Sequence, residues 1–75
     1  MSDLETRLFR EAYKFLAAHA SPPPESDEKA SIAWWQTLTN DIIEVSARWK
    51  SHPLLVRLLT VVYEYLEEKA KEGST

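Results

Sequence analysis

The chain contains no cysteine and only one glycine. Without thiols there is no disulfide framework and no thiolate metal site, so packing alone must hold a fold of 75 residues. The lone glycine, Gly73, rules out a glycine-rich phosphate loop. Long apolar runs are also missing. The longest, from Leu54 to Leu66, is broken by Arg57, Thr60 and Glu64 and falls short of the roughly 20 residues that span a bilayer. The first residues, Met-Ser-Asp-Leu-Glu-Thr-Arg, start acidic and lack the continuous apolar segment of a secretory signal. These absences predict a cytoplasmic protein with no membrane partner, and the lack of cysteine suits a reducing compartment. Charge of one sign is not concentrated either: the net charge is −3 with both signs interspersed, which disfavours an independent nucleic-acid binder.

What the chain does have is aromatics and helical periodicity. Three Trp, three Tyr and two Phe supply large pieces for a single small core. A chain this short makes one domain, residues 1–75, and buries only about 60% of the surface it exposes when unfolded. Trp35, Leu38, Ile42, Val45 and Trp49 form a 3-4-3-4 ladder, the signature of one long amphipathic helix with an indole at each end of its buried stripe.

A helix is expected on each side of that ladder. Ser2 and Glu5 match the capping-box pattern in which hydroxyl and carboxylate satisfy helix-end amides reciprocally. Leu4, Leu8, Ala12, Phe15 and Leu16 follow at helical spacing, with Phe9 and Tyr13 widening the stripe and Arg7, Arg10 and Lys14 opposite. This predicts a first helix over about 3–20. Ser21-Pro22-Pro23-Pro24 ends it, because proline has no amide to donate and disfavours helix in the residue before it. The stretch 21–26 reads as a short extended linker rather than a docking peptide, since it lacks a flanking basic residue.

Ser26 or Asp27 can cap a second helix over about 27–50. Ser51-His52-Pro53 breaks it, and Ser51 or His52 can cap a third over about 53–72, with Gly73 suited to its end. Leu55, Leu58, Leu59, Val62, Tyr65 and Leu66 line one side of the third helix. Its apolar arc widens through Leu54 and Val61, and further through Val56 and Tyr63, as suits a central helix or a self-association surface. The fold expected is all-α: a three-helix bundle with a proline-rich connector between helices 1 and 2 and a tight Ser-His-Pro turn between helices 2 and 3.

No catalytic constellation emerges. The two histidines, His19 and His52, sit at helix ends, where they serve as caps or dipole partners. Ser51 is adjacent to His52 in sequence, but adjacency does not place a hydroxyl in line with an imidazole. No H-x-x-x-H or E-x-x-H pair occurs, and Glu64, Glu67 and Glu68 with Lys69 and Lys71 read as a solvated face. The expectation is a protein that is not an enzyme and uses no metal or cofactor.

Binding is the reading that remains. Trp35 and Trp49 are expected in the core, with Trp34 half exposed at its flank. Ile32 and Ile43 point about 110–130° away from the ladder, on the face shared with Lys29, Gln36 and Lys50. Together with Val56 and Tyr63 they form the candidate surface for a protein partner or a second copy. The alternative is a nucleic-acid-associated protein using Arg48, Lys50 and Arg57 around the helix 2–3 junction. Against it, the third helix opens Pro-Leu-Leu-Val, where a recognition helix would be polar and basic.

The pattern Glu11-Ala12-Tyr13-x-Phe15, then Trp34-Trp35-x-x-Leu38, His52-Pro53-Leu54-Leu55 and Val62-Tyr63-x-Tyr65-Leu66-Glu67 resembles small all-helical proteins encoded in prophages and other mobile elements of Gram-positive bacteria. It covers most of the chain but carries no catalytic motif. The resemblance implies a bacterial or phage origin and a non-enzymatic role, and it transfers no site residue.

Overall fold

The computed structural model describes residues 2–73 and consists of three helices: α1 (Asp3–Ala18), α2 (Glu28–Arg48) and α3 (Pro53–Gly73). The bundle is elongated, 42 × 20 × 16 Å. The ends of α1 and α3 lie together, because the Lys69 ammonium donates to the Ala20 carbonyl at 2.6 Å. Thus α1 and α3 run parallel with α2 antiparallel to both, as short connections between consecutive helices require. The backbones of α1 and α3 approach most extensively and α2 meets α3 less so; among the described residues no Cα of α1 lies within 8 Å of α2.

Each boundary has a local cause. The Glu5 amide donates to Ser2 Oγ at 3.2 Å and the Ser2 amide to Glu5 Oε1 at 2.8 Å, completing the capping box. Helix α1 stops at Ala18, two residues short of the expected end. His19 caps it, its amide donating to the Phe15 and Leu16 carbonyls. The connector therefore spans 19–27, longer than 21–26. Asp27 is the cap of α2, accepting from the Ala30 amide at 3.3 Å.

The α2–α3 turn is a Schellman closure. The Lys50 amide donates to the Ala47 carbonyl and the Ser51 amide to the Ser46 carbonyl, with Lys50 at φ 54° and Ser51 at φ 53°. Left-handed backbone crowds the Cβ of a non-glycine residue, so two in succession hold strain that the two closing hydrogen bonds offset. Helix α2 ends at Arg48 rather than near 50 for this reason. His52 then caps α3 with its ring: the Leu54 amide donates to His52 Nδ1 at 3.2 Å. Gly73 is the last residue of α3, and the cap expected of it concerns residues outside those described.

The core is built from Leu8 and Phe15 of α1, Leu38 and Val45 of α2, and Leu55, Leu59, Val62 and Leu66 of α3. Helix α3 supplies half of these because it packs on both neighbours. Within the α2 ladder only Leu38 and Val45 are buried; Trp35, Ile42 and Trp49 are half-buried against them, which corrects the expectation of two core indoles. Trp34 is half-buried as expected, edge-on to Trp35 with ring centroids 4.7 Å apart.

Phe9 and Tyr13 depart further. They do not widen the buried stripe: both are exposed, Tyr13 by 72%. They lie about 100° and 140° round the helix from Leu8, and α3 closes on Leu8, Ala12 and Phe15 instead.

Candidate interaction surfaces

The residues proposed for binding lie on the α2–α3 side of the bundle. Ile32 is 55% exposed and Ile43 62%, both on the outer face of α2, and Val56 on α3 is 41% exposed. Tyr63 is engaged within the molecule: it is half-buried, its ring 5.2 Å from that of Trp35 at an interplanar angle of 64°. The contact places Val56 and Tyr63 on the flank of α3 next to α2, since residues seven apart share a helix face.

The outer face of α2 is shaped by a second 3-4 series. Lys29, Ile32, Gln36, Thr39 and Ile43 are all exposed, and they run about 120° away from the buried ladder. Ser31, Ile32, Trp35, Gln36, Thr39 and Asn40 line an open hollow of about 610 Å³. One side of the Trp35 indole faces Tyr63 and the core; the same residue borders the hollow.

A second hollow, about 360 Å³, lies in the groove between α1 and α2. Phe15 and Val45 floor it, and Glu11, Lys14, His19, Asp41, Glu44 and Arg48 surround it. At its end His19 stacks on Phe15 with centroids 4.2 Å apart and meets Trp34 edge-on at 6.4 Å. Its Nδ1 lies 2.8 Å from the Phe15 carbonyl and its Nε2 2.8 Å from Asp41 Oδ2. A carbonyl and a carboxylate only accept, so a ring that donates at both nitrogens bridges them fully. No sequence signal joins His19 to Asp41, because they are 22 residues apart on helices that meet only through side chains. The lining holds no hydroxyl or thiol for His19 to activate. Among the described residues no three His, Cys, Asp or Glu side chains converge to hold a metal ion.

The three cations of the nucleic-acid alternative are not gathered on one face. Arg48 borders the α1–α2 groove among Glu11, Asp41 and Glu44. Lys50 lies in the left-handed turn, and Arg57 is exposed on the side of α3 turned away from its core stripe.

One apolar surface escaped the sequence reading. Phe9 and Tyr13 on α1 and Val61 and Tyr65 on α3 are all exposed. Phe9 and Tyr13 lie on the side of α1 away from its groove with α2, and Val61 and Tyr65 on the side of α3 away from Tyr63 and α2. Their spacing alone cannot separate a wide buried stripe from a buried stripe with an exposed edge. No helix among the described residues is long and apolar enough to cross a membrane. Comparison with known proteins found no matching family model, no matching curated protein and no matching solved structure.

Proposed function

We propose that this protein is a small non-enzymatic binding module whose contact surface is the outer face of α2. The observation that carries the reading is the pair Ile32 and Ile43, two large aliphatics more than half exposed on one helix face beside an open hollow at Trp35. Single exposed aliphatics are ordinary, but two on one helix face beside a hollow bordered by an indole suit a contact along that face. Both lie outside the core, which Leu38 and Val45 complete from the other side of α2, so their apolar character is not explained by core packing. The resemblance to mobile-element proteins implies a bacterial or phage origin and a non-enzymatic role.

Affinity capture from the native host, comparing the parent chain with Ile32→Glu/Ile43→Glu, tests this. A protein retained by the parent and lost by a variant of unchanged helicity supports the reading. An identical retained set for both chains removes α2 as the contact surface.

A further inference from the structure

We infer that the His19–Asp41 contact is a proton-operated clasp on the α1–α2 groove, closed while the His19 ring is charged and released when the ring is neutral. The clasp is independent of the outer face of α2. Nδ1 lies 2.8 Å from the Phe15 carbonyl and Nε2 lies 2.8 Å from Asp41 Oδ2. Both partners only accept, so satisfying both at once takes a proton on each nitrogen, and a ring with two is an imidazolium.

The surroundings suit that charge. The ring stacks on the face of Phe15 with centroids 4.2 Å apart, where a cation is attracted. It also caps the C-terminus of α1, the negative end of the helix dipole. Glu11 and Lys14 from α1 and Glu44 and Arg48 from α2 surround the groove, one charge of each sign from each helix. Lys69 of α3 places a positive charge at the Ala20 carbonyl, one residue beyond the ring. Against these, the Asp41 carboxylate is in direct contact with the imidazole.

Loss of one proton breaks the arrangement in a definite place. A neutral imidazole keeps a single N–H, so one nitrogen turns a lone pair toward an acceptor 2.8 Å away. The two acceptors differ in freedom. The Phe15 carbonyl belongs to helical backbone and cannot turn aside, whereas Asp41 is a side chain, 38% exposed, that can rotate into water. A lone pair against the carbonyl would push the ring off Phe15; one against the carboxylate is relieved by turning Asp41 away. The neutral ring therefore keeps its Nδ1–H on the Phe15 carbonyl and lets Asp41 go.

Histidine changes charge between about pH 5 and 8. The charged ring belongs to the closed form, so the clasp is complete in acid and opens as pH rises through that range. Opening frees the end of α1 from α2 at the edge of the Phe15–Val45 floor.

Nuclear Overhauser contacts in the full chain at about pH 5.5 and 8.5, on either side of that change, test the clasp. A contact between the His19 ring and Asp41 is expected at the lower pH and lost at the higher, with the His19–Phe15 ring contact kept at both. Asp41→Asn is the second arm. An amide offers a donor and an acceptor, so it can meet the ring in either state, and its contact should persist at both pH values. His52→Gln removes the only other histidine and should leave the switch as in the parent. An Asp41 contact present at both pH values, or at neither, overturns the proposal. So does loss of the asparagine contact at the higher pH, or a switch that disappears in His52→Gln.

Discussion

His19 Nε2 lies 2.8 Å from Asp41 Oδ2, and this contact ties the end of α1 to the middle of α2. Among the described residues no Cα of α1 lies within 8 Å of α2, so the link closes one end of a groove floored by Phe15 and Val45. The imidazole is the more enclosed partner, 16% exposed against 38% for the carboxylate.

The His19–Asp41 link should be measurable by a double-mutant cycle. Asp41→Asn or His19→Gln should each cost about 1 kcal/mol, the upper end for a solvent-exposed pair, because the imidazole is enclosed while Asp41 is open to solvent. Urea unfolding of both singles and the double should return a coupling clearly different from zero. Additive losses would mean that the contact contributes nothing to stability.

Lys50 should be better replaced by glycine. Its left-handed backbone disfavours any residue with a Cβ, so Lys50→Gly is expected to stabilise the chain by about 0.5–1 kcal/mol despite the extra freedom of glycine when unfolded. Lys50→Val, branched at Cβ, should destabilise. A higher urea midpoint for the valine variant than for the parent would contradict this account of the turn.

Burial separates two residues that periodicity treats alike. Leu38→Ala removes a fully buried side chain and should cost about 2–5 kcal/mol. Tyr13→Ala, at an exposed position of a supposed buried stripe, should stay within about 0.5 kcal/mol. Thermal unfolding followed by circular dichroism distinguishes them directly.

Acid should weaken the first helix through Glu5. The Ser2 amide and hydroxyl hydrogen-bond the ionised side chain and hold its carboxyl below the ordinary value of 4.5. A carboxylate lowered in this way stabilises the fold above its unfolded value, and that contribution disappears as pH falls through the lower folded one. The stability of Glu5→Gln should therefore depend less on pH over the acid range than that of the parent. Parallel pH profiles for the two chains would show that the capping box does not carry this effect.

Much of the architecture was legible before any coordinates. The Ser2–Glu5 box, the proline connector, the His52-Pro53 break and the 3-4 ladder each act within a few residues, and each local signal produced the expected element. The helix ends near 18 and 48 were less legible. At each, the stop comes from cap geometry, with His19 in one case and left-handed Lys50 in the other, and neither residue type announces that role.

Ile32 and Ile43 were identifiable as residues off the ladder, but their exposure was not, because direction on a helix says nothing about what packs there. The sequence by itself determined that three amphipathic helices form and which side of α2 turns inward, since hydrogen bonding and apolar spacing are local properties. Only the tertiary structure decided that Phe9 and Tyr13 stay outside, that Tyr63 rests on Trp35, and that His19 reaches Asp41. Those outcomes depend on how far each helix is rotated against its neighbours, and that rotation is settled by the packing of all three at once.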